Sequence, residues 1–93
     1  MSESSGYKVV FEIGAQKALR KMDPHQANMI MAWIGKHLTG TDDPRRQGKP
    51  LSENHAGKWR YRIGDYRLIA HISDKEVIIL ILEVGHRSKI YQR

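Results

Sequence analysis

From Tyr7 to Ile13 the chain alternates, with Tyr7, Val9 and Phe11 on one side and Lys8, Val10 and Glu12 on the other. That period of two predicts a strand, closed by Gly14. The spacing then changes. Ala15, Ala18, Leu19 and Met22 recur at helical intervals with Gln16, Lys17, Arg20 and Lys21 outside them, which predicts a short amphipathic helix. Asp23-Pro24 restarts the chain, since Asp23 caps an N-terminus and Pro24 suits the first helical position. The second helix runs to about Leu38 and buries Ala27, Ile30, Ile34 and Leu38, with Trp33 at the edge and Gly40 as the stop. Met29, Met31 and Trp33 read as core or helix-flank residues.

Residues 41–57 show no periodicity, and loops of that length in a small domain are functional or disordered. Three strands follow: Lys58 to Ile63, Tyr66 to Ile72, and Val77 to Val84. Gly64-Asp65 and the region of Asp74-Lys75 supply the turns. The last strand, "VIILILEV", is continuously apolar and is expected in the middle of the sheet with both faces covered. The order is β-α-α-β-β-β. It predicts an α+β domain in which a helical hairpin packs on a twisted, mostly antiparallel four-stranded sheet. One domain fills residues 1–93, with residues 1–6 as a disordered tail.

Composition narrows the class. The chain has no cysteine, which excludes disulfides and thiolate metal sites and fits a reducing cytoplasm. Its histidines are scattered, an arrangement that argues against zinc. It lacks a glycine-rich phosphate loop, a nucleophile elbow and a dinucleotide-binding fingerprint. No apolar run is long enough to span a bilayer, and no signal peptide is visible. Sixteen Lys and Arg against ten Asp and Glu give a net charge of +6, which suggests an anionic partner, most often nucleic acid.

The placement of the charge is more informative. In "KWRYRIGDYRL", Trp59, Tyr61 and Ile63 face one way while Lys58, Arg60 and Arg62 face the other. If Gly64-Asp65 is a two-residue turn, Ile63 meets Tyr66 and Arg62 meets Arg67 across the ladder. Like charges directly opposite each other are destabilising. A bound polyanion removes that repulsion, and guanidiniums are fixed bidentate donors to phosphate oxygens. Cleavage of RNA without a metal needs such donors for the charge that builds on phosphorus. It also needs a group that moves protons, which arginine does not do at neutral pH. His86 is the first candidate, as its type titrates near ~6.5. Glu53 and His55 come second, and Tyr91 can stack on a base or donate a hydrogen bond. His71 shares the Arg67 side but lies farther from the turn. His25 and His37 read as surface residues of the helical hairpin.

Taken together, "GKPL", "GKWRYRIGDYRLIAHI" and "VIILILEVGHRSKIY" resemble the RelE/ParE superfamily of bacterial toxins from toxin–antitoxin pairs. The resemblance covers essentially the whole chain and is strongest from Gly48 to Tyr91. It implies the same β-α-α-β-β-β fold. It also implies a cognate antitoxin, acidic and folding on binding, that wraps the toxin and covers its basic site along with apolar residues such as Ile69 and Leu80. Toxins of the RelE branch cleave mRNA in the ribosomal A site. In that branch the basic pair on the second strand matches Arg60 and Arg62, the arginine of the third matches Arg67, and the basic residue and tyrosine after the last strand match Arg87 and Tyr91. Some members have lysines where this chain has Arg60 and Arg62, so the base role moves here to His86. Others carry a glutamate soon after their "GKP", where this chain has Leu51, with Glu53 two residues on. The ParE branch poisons DNA gyrase instead; the Arg87 and Tyr91 ending favours RelE.

The resulting expectation is a cytoplasmic, metal-independent mRNA endoribonuclease without a cofactor. Arg62, Arg67, His86, Arg87 and Tyr91 are its catalytic set. Lys49, Lys58, Arg60, Arg45 and Arg46 hold RNA. The partners are mRNA, the ribosome through its 16S rRNA, the antitoxin and, through the antitoxin, operator DNA. No membrane is involved.

Overall fold

The structure is a computed structural model that describes residues 6–51 and 57–90. The expected tail, apart from Gly6, lies outside the described residues, as do Glu53, His55 and Tyr91. The elements are β1 (Lys8–Phe11), α1 (Ile13–Lys21), α2 (Pro24–His37), β2 (Lys49–Pro50), β3 (Lys58–Ile63), β4 (Tyr66–Ser73), β5 (Ile78–His86) and α3 (Arg87–Ile90). The strands form one sheet in the order β1-β5-β4-β3-β2. β1 runs parallel to β5, and every other pairing is antiparallel.

The α+β class and the helical hairpin on a mostly antiparallel sheet stand, but the sheet has five strands where four are expected. The extra one is β2, a two-residue strand inside the segment read as loop. Its brevity leaves no alternation to detect. Pro50 can sit in it because β2 is an edge strand, where a missing N–H breaks no interior ladder. Gly14 also departs from its expected role. It lies within the first turn of α1, and the chain becomes helical at Ile13. Glu12 caps that helix without a side-chain bond. The entry is instead held by Gln16, whose side-chain amide donates to the Phe11 carbonyl at 3.0 Å.

α2 begins as expected. The Asp23 carboxylate accepts the backbone N–H groups of His25 at 3.2 Å and Gln26 at 3.4 Å. It ends at His37, with Gly40 in the left-handed region soon after (φ 77°). Its buried stripe is Ile30 and Ile34, continued by Leu38. Those side chains meet Tyr61 and Ile63 of β3, Leu68 and Ala70 of β4, and Ile79, Ile81 and Val84 of β5. Tyr61 is fully buried and donates its hydroxyl to the Pro44 carbonyl at 2.6 Å, so the loop after α2 is tied to the core. Burial pushes the Tyr61 phenol up from its ordinary value.

β5 does lie inside the sheet, between β1 and β4, but only one of its faces is covered. Ile79 and Ile81 are buried against the helices, while Ile78, Leu80 and Leu82 on the other face are half-buried. β4 is the middle strand. A bulge interrupts the β4–β5 ladder: Ile69 pairs with Glu83 and Ala70 with Ile81, so Leu82 is unpaired. Strict alternation after Ile79 and Ile81 would send Glu83 into the core. The extra residue shifts the parity, so Val84 is buried and Glu83 turns to the other face.

The connection from β4 to β5 contains Val77 at φ 58°. A β-branched residue there carries strain of about 1–2 kcal/mol, against about 0.5–1 kcal/mol for the extra chain entropy of glycine. Val77 is 39% exposed, so little packing is lost on its removal. Val77→Gly is expected to stabilise the domain by ~0.5–1 kcal/mol, raising the midpoint of a thermal melt by several degrees. A lower midpoint contradicts it.

Candidate functional site

The β3–β4 hairpin has the register read from its sequence. Ile63 pairs with Tyr66 and Arg62 with Arg67 around a Gly64-Asp65 turn in which Gly64 has φ 60°. Arg60, Arg62 and Arg67 therefore share the sheet face opposite the helices. β2 pairs Lys49 with Arg60 and brings a fourth cation to the same edge. Arg67, on the middle strand, is only 9% exposed, Arg60 is half-buried and Arg62 is exposed.

Two adjoining hollows share these three arginines. One, of about 230 Å³, is completed by Trp33, Gln47, Gly48 and Lys49. The other, of about 380 Å³, is completed by Arg87 and Ser88. Arg87 is delivered there by the end of β5, where Gly85 pairs with Arg67 and the Arg87 N–H donates to the Asp65 carbonyl at 2.9 Å. The exit of the last strand thus lies at the turn end of the hairpin, which sequence leaves open. The result is one strongly basic cleft around Arg60, Arg62, Arg67 and Arg87, extended by Lys49.

His86 does not join it. It pairs with Tyr66, on the helix side of the sheet, and its ring stands edge-on to that of Tyr66 with centroids 5.6 Å apart. The bulge is the cause. Without the extra residue, His86 would share the face of Leu80 and Leu82, which is the arginine face. The Nδ1 atom of His86 accepts the Ser88 N–H at 3.2 Å and lies 3.0 Å from the Ser88 hydroxyl.

The loop arginines are also used elsewhere. Arg45 makes a bidentate pair with Asp74 at 3.0 and 3.2 Å and lies 5.9 Å from the centre of the Trp59 ring. Arg46 pairs with Asp42 at 3.1 Å. Lys58 sits at the far end of β3, opposite His71, and lines neither hollow. Of the ten residues expected at the site, Arg60, Arg62, Arg67, Arg87 and Lys49 are brought together, whereas Arg45, Arg46, Lys58 and His86 are not, and Tyr91 lies outside the described residues. Trp33, Gln47 and Gly48 were missed. The one sequence signal for Trp33 was its position at the edge of the α2 stripe. Gln47 and Gly48 fall in aperiodic chain.

The Arg45–Asp74 pair clamps the loop to the β4–β5 connection, and the Tyr7 hydroxyl adds a donor to Asp74 at 2.7 Å. These hydrogen bonds, Arg45 first, hold the Asp74 carboxyl below its ordinary value. A depressed carboxylate stabilises the fold above its unfolded value, and that stability is lost as pH falls through the folded value. Asp74→Ala is expected to lower the thermal midpoint at neutral pH. The two proteins converge as the solution is acidified below the range where Asp74 is ionised. A gap between their melts that stays constant into strong acid rules out this clamp.

The chain is thus a small α+β domain with a helical hairpin on one face of its sheet and a cluster of guanidiniums on the other. Residues 9–91 match the family described as the ParE toxin of the type II toxin–antitoxin system parDE. The toxin RelG of Mycobacterium tuberculosis is 37% identical over 89 residues, spanning 94% of this chain and 98% of RelG. In the crystal structure of the RelBE2 toxin–antitoxin complex from the same organism, a chain superposes with a TM-score of 0.78 and 34% identity, covering 88% of this chain and 99% of that one. The isolated E. coli RelE toxin has the same fold, with a TM-score of 0.72 at 22% identity over 94% of this chain and 93% of that one. The chain belongs to this family of type II toxins.

Proposed function

We propose that this toxin is a ribosome-dependent mRNA endoribonuclease, cutting the message in the A site and so stopping translation in the cytoplasm. The observation that carries the reading is the convergence of Arg60, Arg62, Arg67 and Arg87 on one cleft. In the reaction, a 2′-hydroxyl gives up its proton and its oxygen bonds to the adjoining phosphorus. The bond from phosphorus to the 5′-oxygen then breaks, and that oxygen takes a proton. The guanidiniums bind the phosphate oxygens and the charge that grows on them, without a metal or cofactor. They do not move protons. His86 faces away, and Lys49, which β2 sets beside Arg60, adds an ammonium that binds phosphate and can give a proton to the departing 5′-oxygen. Tyr91 follows α3 and remains in the proposal as a stacking or donor group. RNA held by so few groups is poorly oriented. A ribosome that fixes the strand supplies the orientation the small cleft lacks.

The partner that silences the site is a cognate antitoxin, acidic and folding on binding; the RelBE2 relative was crystallised with one. Val10, Leu80 and Leu82 lie on the open sheet face and give it apolar surface. Ile69, expected there too, is already buried within the chain. The toxin–antitoxin complex reaches operator DNA through the antitoxin.

Primer extension on a short mRNA, with and without programmed 70S ribosomes, tests the reading. Cuts are expected in the A-site codon only when ribosomes are present. Lys49→Ala is expected to slow them by ~10²–10⁴-fold, and His86→Ala to leave them within a few-fold of wild type. The matching family model carries the ParE description, which favours a second reading, a gyrase inhibitor that cuts nothing. Growth arrest with intact transcripts and stalled gyrase on DNA selects it.

A further inference from the structure

We infer that the smaller hollow is a nucleobase pocket, in which Trp33 is the stacking surface and Gln47 reads the edge of the base. This deepens the RNA reading and rests on it. The cleft as proposed so far binds phosphate, and phosphate contacts carry no sequence information. The 230 Å³ hollow beside them has a different lining: Arg60, Arg62 and Arg67 are joined there by the Trp33 indole and the Gln47 amide, with Gly48 and Lys49. Its volume is below the ~300 Å³ at which sites for drug-sized ligands begin, which suits one planar ring.

Trp33 is held in place. Its ring packs against Tyr61 at 5.8 Å between centroids and against His37 at 4.6 Å. Tyr61 is fully buried, so the indole is backed by the core, and it is itself only half-buried. A rigid, partly open aromatic within one hollow of several phosphate-binding groups is the arrangement by which proteins stack single-stranded bases. Gln47 is positioned through its main chain, since its carbonyl accepts the Trp59 indole N–H at 2.6 Å. Its side-chain nitrogen lies 3.5 Å from His37 Nδ1. An amide offers both a donor and an acceptor and pairs with base edges in either sense. The two residues come from α2 and from the loop after it, so neither belongs to the basic hairpin.

The test uses the purified full chain at low salt and two labelled probes. One is a short single strand made uncleavable by 2′-deoxy sugars. The other is the same strand without bases. Wild type is expected to bind the base-bearing strand about 5- to 150-fold more tightly, the range that one stacked base supplies. Trp33→Leu brings that ratio close to 1 while the abasic strand binds as before, and Trp33→Phe restores part of it. Gln47→Ala changes which base is preferred without abolishing the ratio. Thermal melts monitor folding, and Trp33→Phe carries the test if the leucine variant does not fold. A wild-type ratio of 1, or a ratio that survives Trp33→Leu, overturns the pocket. If both strands bind through Arg62 in that case, the RNA reading stands alone. If neither strand binds, the pocket falls, and the RNA reading is decided by the cleavage test on programmed ribosomes. Intact base discrimination with weakened antitoxin binding assigns Trp33 to a protein contact and also overturns the pocket.

Discussion

Cells that express the Arg62→Ala variant are expected to grow, and the purified variant is expected to melt at the same temperature as wild type or higher. Both halves follow from one feature of the sheet. Arg62 stands directly opposite Arg67, and a like-charged cross-strand pair costs roughly 0.2–1 kcal/mol. Arg62 is exposed, so its truncation opens no cavity. The position contributes little to the fold, and its role lies with the anion that the cleft is proposed to bind. Removing one preorganised donor to a charged transition state typically lowers a rate by ~10²–10³-fold. That loss is expected to abolish growth arrest. Arg67→Ala is expected to be equally inactive. It sits on the middle strand and is nearly buried, so its melt falls where that of Arg62→Ala does not. Growth curves after induction and melts of the purified proteins decide the matter. A double variant, Arg62→Ala with Arg67→Ala, that remains fully toxic sinks the assignment of this cleft.

The hairpin was legible in the sequence because every local signal agreed. Trp59, Tyr61 and Ile63 alternate with cations, and Gly64 supplies the left-handed turn. α2 was legible for the same reason, with a cap, a proline at its first position and a periodic stripe. What failed was of two kinds. Features with no period could not be seen: β2 has two residues, and its partner Arg60 is remote in sequence. Lys49 reached the candidate list only as a basic residue in a loop, and Trp33 and Gln47 were not on it, since their meeting depends on how that loop folds back over β3. The other kind was parity. His86 was chosen for its chemistry and its place after the last strand, and a single unpaired residue at Leu82 turns it away from the arginine side. The bulge leaves a trace in the sequence after all. Glu83 falls on the core side of an unbroken count, and a buried carboxylate without a partner is costly. A shift of register that exposes Glu83 and buries Val84 removes that conflict. Arg45 belongs with the first kind, since nothing local announces that Asp74, remote in sequence, will claim it.

Gly48→Ala is expected to destabilise the domain by about 2–5 kcal/mol and to abolish cleavage along with it. Gly48 has φ 78°, a conformation that costs an L-residue about 1–2 kcal/mol. Strain is the smaller part. A methyl group there would run into the Arg60 carbonyl and come within 2.8 Å of the Trp59 indole nitrogen. The carbonyl is β3 backbone and cannot swing aside, so β2 has to lift. Lys49 follows Gly48 directly, and its pairing with Arg60 is what carries its amine to the cleft. The indole nitrogen is also the donor to Gln47, so the same displacement disturbs the wall of the smaller hollow. Gly64→Ala separates the two contributions. Gly64 is left-handed as well (φ 60°), but an added methyl group there meets nothing within 4 Å. It is expected to cost about 1–2 kcal/mol and to leave cleavage near wild type once the protein is folded. Melts and cleavage rates for both variants, measured well below their midpoints, distinguish close approach from backbone strain. If Gly48→Ala proves no more harmful than Gly64→Ala in either measurement, β2 is not what holds Lys49 at the cleft.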